Sequence, residues 1–261
     1  MEGIKDLHEL RPAFLVQPLH NSIPAELLPR FDPVYVPIGA SRKDPTKYLR
    51  VYGRAAGPDI FRIIEQTCAV KDGEIKIRIF EPAPILDDQG QPKKRAAYVK
   101  FHGGGWVFGN LATDHDYCKR LVDGLHRHLV VIDVDYRLAP EYKLPTAVRS
   151  RAEEFNLDLN SVSVGGQSAG GHLSAVVAHH CRNANIPLAL QVLVVPVCDL
   201  QHFLGAPRPA ASDDDWKVSP MLAPDFSDLA PALILSAEMD HLRDEAEVYA
   251  DKLKRQADEW N

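Results

Sequence analysis

Apolar positions recur with two periods along this chain, and the two periods take turns. Ile75, Ile77 and Ile79 alternate with Lys76, Arg78 and Phe80, the spacing of a half-buried strand. Thr67–Val70 and Glu74–Phe80 flank Lys71-Asp72-Gly73, which predicts a hairpin closed by an Asp-Gly turn. Three stretches, Ala96–Phe101, Leu129–Val134 and Leu188–Val195, are apolar almost throughout, as strands covered on both faces are. Ser161–Val164 predicts a further short strand, and Ala232–Ser236 another. Between them the period lengthens. Tyr117, Leu121, Val122 and Leu125 predict a helix over Asp114–Leu125, and Leu173, Val176 and Val177 predict one running to Cys181. A shorter helix is expected over Pro145–Phe155. Another runs from Arg243 to about Gln256, with Ala246, Tyr249, Ala250 and Leu253 facing in. Strands alternating with helices at these intervals predict an α/β fold with a doubly wound, mostly parallel sheet.

Residues 1–66 carry no strand pattern, and prolines from Pro12 to Pro45 divide them into short pieces. They are expected to form an N-terminal arm or partial cap, with 67–261 as a single globular domain. The chain has 261 residues, 45% hydrophobic and 25% charged, which suits one soluble globular domain. A net charge of −6 with no basic block argues against nucleic acid as a partner. Cys68, Cys118, Cys181 and Cys198 stand singly, so neither a metal site nor a disulfide framework is expected, and a cytoplasmic location follows. No run reaches the roughly 20 apolar residues of a membrane span. Met1–Leu10 lacks the apolar centre of a secretory signal.

Two stretches carry the candidate chemistry. Gly166-Gln167-Ser168-Ala169-Gly170 fits G-x-S-x-G and falls between a predicted strand and a predicted helix, the setting of a nucleophile elbow. There Ser168 would stand at a sharp turn, with the positive end of the following helix favouring negative charge beside it. The bland alternative is a serine that caps the helix. The second stretch is His102-Gly103-Gly104-Gly105-Trp106, directly after the Ala96–Phe101 strand. Three glycines leave backbone N–H groups uncovered, and such donors stabilise a developing oxyanion by roughly 3 kcal/mol each. Gly103, Gly104, Gly105 and Ala169 are therefore the candidate oxyanion hole.

Taken with Asp135–Glu141 and Asp240-His241-Leu242-Arg243-Asp244, these motifs resemble the hormone-sensitive-lipase-like family of α/β-hydrolases, over roughly residues 70–255. The resemblance implies the α/β-hydrolase fold, with residues 1–66 contributing a reduced cap. It implies hydrolysis of small or short-acyl carboxylic esters through an acyl-enzyme on Ser168, with no metal or organic cofactor. Asp240 matches the family's triad acid, whose work is to orient an imidazole; the alternative is a capping or solvated carboxylate, and Asp244 is expected to cap the helix. His102 is expected to stabilise its own loop.

The chain also departs from the family. Gln167 stands where an Asp is usual, and two intervals are short, one before the elbow and one between Pro196 and Ser219. The family's triad histidine follows the acid by roughly thirty residues, in the order serine, acid, histidine. Here only the 21 residues to Asn261 follow Asp240, and only His241 among them is a histidine. The last sheet strand would be missing too, leaving Ala232–Ser236 as an apolar edge. The expectations are an open site, slow turnover, and two rivals to the enzyme: a non-catalytic ligand-binding pseudo-hydrolase or a truncated inactive isoform. The partner is a small-molecule ester; the oligomeric state is not predicted.

Overall fold

A computed structural model describes residues 57–70, 73–106, 108–137, 157–199 and 215–258. All of them belong to one unit, Ala55–Asn261. The arm up to residue 56, the helix expected over Pro145–Phe155 and the first half of the 201–228 segment, 201–214, lie outside the described residues.

Seven strands make one sheet: β1 (Arg62–Val70), β2 (Gly73–Glu81), β3 (Arg95–Phe101), β4 (Leu129–Asp135), β5 (Leu157–Gln167), β6 (Leu190–Val194) and β7 (Ala232–Leu235). Four α-helices and one 3₁₀ turn (Pro220–Leu222) accompany them among the described residues: α1 (His115–Gly124), α2 (Ala169–Asn183), α3 (Asp215–Val218) and α4 (Arg243–Asp258). The strand order is β1-β2-β4-β3-β5-β6-β7. β1 and β2 run antiparallel to their neighbours, and the rest of the sheet is parallel.

The period-2 pattern of β2 works as expected. Ile75, Ile77 and Ile79 point into one core face with Val99, Phe101, Val164 and Leu173. Phe80 turns to the other face, where Tyr98, Cys118, Val122 and Val131 pack beneath α1. The hairpin closes on the pair Val70–Gly73, and Gly73 takes φ 135°, a value open to glycine. Lys71 and Asp72 are outside the described residues. β1 begins at Arg62, not Thr67, because the whole run Arg62–Val70 finds partners along Gly73–Glu81. β5 likewise starts at Leu157, four residues ahead of the alternation, beyond an irregularity in its pairing with β3. At the other end of the described sheet, Leu233 and Leu235 of β7 are 47% and 48% exposed.

The winding fixes where a site can lie. From β3 the chain passes through α1 to β4 on one side. It then returns across β3 to β5 and continues to β6 and β7 on the other. The order reverses between β3 and β5, and in open α/β sheets the crevice at the carboxyl ends of such a strand pair is where ligands bind. β3 ends at Phe101, immediately before His102-Gly103-Gly104-Gly105. β5 ends at Gln167, immediately before Ser168.

One residue of the β3 run departs from the expectation of an apolar strand. Lys100 is 2% exposed, and its Nζ donates to Asp114 Oδ2 at 2.6 Å and lies 3.4 Å from Asp133 Oδ1. Burial opposes the charge, but the two carboxylates more than offset it and raise the Lys100 pKa. Burial pushes Asp133 up to about 6, with Lys100 pulling the other way. The triad joins β3, β4 and the start of α1. Replacing Lys100 by Met keeps the volume and strands two buried carboxylates. It is expected to cost about 3–5 kcal/mol at pH 7, a penalty that shrinks on acidification as the carboxylates protonate. Urea denaturation of Lys100→Met at pH 7 and pH 5 checks both the size and the direction.

Candidate active site

Ser168 follows β5 and precedes the first residue of α2. Its backbone sits at φ 55°, ψ −118°, well outside the regions comfortable for a residue with a Cβ. The neighbours hold it there. The Ser168 N–H donates to Val194 O at the end of β6 (2.9 Å), and its carbonyl accepts the His172 N–H of the first turn of α2 (3.0 Å). The turn is tight enough that glycine is required on its helix side. A β-carbon on Gly170 would lie 2.1 Å from the Phe101 carbonyl oxygen at the end of β3. The Ser168 side chain makes no capping hydrogen bond, so the capping alternative fails.

The glycine loop lies against this turn. A β-carbon on Gly103 would stand 3.8 Å from Ser168 Cβ and 3.2 Å from Gln167 O. Gly104, Gly105 and Trp106 follow with φ 121°, 59° and 62°, and this left-handed run turns the loop back so that Phe108 N–H donates to Gly104 O at 2.9 Å. Among the described residues no acceptor takes the N–H groups of Gly103, Gly104 or Gly105. Ala169, wholly buried, is the first residue of α2, where helix N–H groups lack partners within the helix. Gly103, Ser168 and Ala169 thus meet at the β3/β5 crevice, with Gly104 and Gly105 the next residues of the same loop.

Histidines brace this arrangement. His102 is fully buried and stacked on Tyr136, with ring centroids 4.2 Å apart. Its Nδ1 is 2.7 Å from Gly103 O, so that nitrogen carries the proton, and Tyr136 Oη donates to His102 O at 2.8 Å. His172 is bonded at both nitrogens. It accepts from Trp106 Nε1 at 3.2 Å and donates from Nε2 to Val218 O at 3.0 Å. It therefore ties the glycine loop to α2 and α3. His179 faces Trp216, Phe226 and the Tyr249 hydroxyl. Burial lowers the pKa of all three histidines to about 4. Nothing in the sequence marks His172 for its role; its inward face shows only once α2 is docked.

Asp240 stands five residues past β7, as its place after that strand implies, and its Oδ1 accepts the Leu242 N–H at 2.9 Å. Asp240, not Asp244, supplies the carboxylate ahead of α4; Asp244 pairs with Arg243 instead. His241, largely exposed, places Nδ1 3.5 Å from Asp240 Oδ1. In a triad an imidazole stands between acid and nucleophile. Among the described residues no group of three His, Cys, Asp or Glu side chains could hold a metal ion, and no helix is long and apolar enough to cross a membrane.

Residues 98–260 match the family model described as alpha/beta hydrolase fold. The chain belongs to the α/β-hydrolases, in their hormone-sensitive-lipase-like branch. Across this family's curated members, an AB hydrolase superfamily protein of Schizosaccharomyces pombe is 31% identical over 91% of this chain and 84% of its own length. An arylesterase of Saccharolobus solfataricus is 32% identical over 70% and 68%. Among solved structures, a thermostable carboxylesterase cloned from a metagenomic library superimposes with a TM-score of 0.72 at 32% identity, covering 85% of each chain. The α/β-hydrolase fold expected from the motifs is thereby shown, and the family is one of carboxylic ester hydrolases.

Two expectations follow from the geometry. Gly170→Ala drives a methyl into the Phe101 backbone, and overpacking of this kind costs about 1–3 kcal/mol or more. Thermal melting of Gly170→Ala should fall by several degrees. The buried histidines, with folded pKa values below the unfolded 6.5, contribute stability that is fully present above pH 6.5 and is lost as pH falls toward 4. Asp133, Asp135 and Glu245, whose pKa values burial raises, act in the opposite direction, but His115, which burial also lowers, makes four histidines against three carboxylates. Urea midpoints at pH 6.5 and 4.5 should differ, with the lower one at pH 4.5.

Proposed function

We propose that the chain hydrolyses carboxylic esters with small or short acyl groups, with Ser168 as nucleophile. The observation that carries this reading is the backbone of Ser168 at φ 55°, pinned to Val194 O, with the Gly103 backbone packed against its side chain. A hydroxyl held this way, at the positive end of α2, faces a carbonyl whose oxygen reaches the N–H groups of Gly103, Gly104, Gly105 and Ala169. Ser168 Oγ would bond to the acyl carbon, its proton passing through a base to the departing alcohol. Water would then attack the acyl-enzyme, release the acid and restore the serine. Asp240 would orient and stabilise the base. The esterase names of the relatives support the same substrate class, and the family supports the short-acyl preference.

Among the described residues the base is the weak point of the constellation. Among the described histidines, His102, His172 and His179 are buried and engaged with other partners. His241 is largely exposed beside Asp240. Loss of a triad base typically lowers kcat on the order of 10⁶-fold, while the remaining site still gives roughly 10³-fold acceleration over water. The 261-residue polypeptide is therefore expected to hydrolyse p-nitrophenyl acetate and butyrate well below about 1 s⁻¹, and Ser168→Ala is expected to abolish what remains. A fluorophosphonate probe should label Ser168 slowly and selectively. Failure to label at any pH, with a folded protein, would favour the ligand-binding alternative. Turnover above about 1 s⁻¹ that depends on Ser168 would show that a histidine does serve it.

A further inference from the structure

Glu245 has no solvent exposure, although it stands in the first turn of α4. A glutamate at the third position of a helix commonly turns back to cap its own first amides. This one reaches across the fold. Its Oε1 accepts the N–H of Cys198 at 2.8 Å, and the N–H of Asp199 is a second donor. Among the described residues its Oε2 has no hydrogen-bond partner.

The segment it holds lies behind the nucleophile. Ser168 N–H donates to Val194 O, Val197 N–H lies 3.5 Å from Ser168 O, and Met221 N–H donates to Cys198 O at 3.1 Å. The other end of the connection is the Asp240 turn. Asp240 Oδ1 accepts Leu242 N–H, Asp240 O accepts Arg243 N–H, and Leu242 O accepts the N–H of Ala246, next to Glu245. One side chain therefore spans from the turn carrying the proposed acid to the loop supporting the proposed nucleophile.

We propose that Glu245 is a positioning residue that, as a neutral carboxylic acid, clamps the Asp240 turn to the Pro196–Asp199 loop behind Ser168. This rests on the reading of Ser168 and Asp240 given above. The protonated form follows from the surroundings. Among the described residues the groups facing Glu245 are the Cys198 thiol and Asp199 from the loop and Asp240 from the turn. The Ser219 hydroxyl is held on Asp199, and the Tyr249 phenol on the inner face of α4 interacts with Cys198. No cation is among them. Among the described residues a carboxylate there would be a buried charge without a counter-ion, which is costly. Burial pushes the Glu245 pKa up to about 8, with the two N–H donors pulling down and Asp199 and Asp240 pushing up. A folded-state pKa above the unfolded 4.5 means that the clamp's contribution is complete below pH 4.5 and is lost as pH rises to 8. A neutral glutamine should therefore replace Glu245, and a truncation should not.

The test is amide exchange at Ser168, Cys198 and Leu242 from pH 6 to 9, for the wild type, Glu245→Gln and Glu245→Ala, with fluorophosphonate labelling of Ser168 alongside. Glu245→Ala should lower protection at all three amides together by about tenfold or more, as loss of a buried hydrogen-bond partner does. The wild type should lose protection at the same amides as pH rises past 8, and Glu245→Gln should not. Where the wild type labels, Glu245→Gln should label at least about tenfold faster than Glu245→Ala. The clamp is overturned if Glu245→Gln loses protection as Glu245→Ala does, or if Glu245→Ala frees Cys198 while Ser168 and Leu242 stay protected. If Glu245→Ala does not fold, the pH dependence of the wild type against Glu245→Gln decides. A wild type that never labels sinks the esterase reading, and the exchange result still decides the clamp.

Discussion

The site depends on how closely the first turn of α2 is pressed against the end of β3. The Phe101 carbonyl occupies the space that a side chain at position 170 would need. Only with that turn in contact can β5 run straight into a helix with a single residue at the corner. That residue, Ser168, is left with a backbone it would not choose, held by Val194 on one side and by α2 on the other. The cost of a strained residue, about 1–3 kcal/mol, is carried by the packing of Leu173, Ala175 and Val176, all nearly fully buried on the same helix. Burial of a Leu or Val side chain stabilises by roughly 1.5–3 kcal/mol. The corner is affordable because the helix behind it is deep in the core.

The glycine loop answers the same constraint from the other strand. It leaves β3 with three left-handed residues in succession, and the third, Trp106, is not a glycine. Its indole explains how it stays there, since Nε1–H is fixed on His172 and the ring meets the imidazole edge-on at 5.1 Å between centroids. The two halves of the site are thus locked to each other by side chains as well as by backbone.

Strand and helix identities were legible because burial on one or both faces writes its own period, as Ile75, Ile77 and Ile79 show. The corner at Ser168 was legible because only small residues fit there, and that need shows directly as glycine. The buried polar groups were not. Lys100 reads as an interruption in an apolar run, and its partners Asp114 and Asp133 are 14 and 33 residues away in sequence. His172 and Glu245 read as ordinary helix residues, and only the docked positions of α2 and α4 give them partners. The starts of β1 and β5 were missed because their pairing residues are polar or exposed, so partners rather than periodicity made them strands.

The bond between Ser168 N–H and Val194 O also sets an order of events. The residues that shape the corner come from β3, β5, α2 and β6, so its geometry is a property of non-local contacts that must all be closed, and such contacts form late in folding. A nascent chain synthesised only as far as Ala169 carries the serine and the glycine loop but has no β6 to receive that N–H. Its Ser168 is an ordinary hydroxyl. The reactivity proposed for this serine would thus be a late arrival, and it would report that the parallel sheet has been assembled at least through Val194.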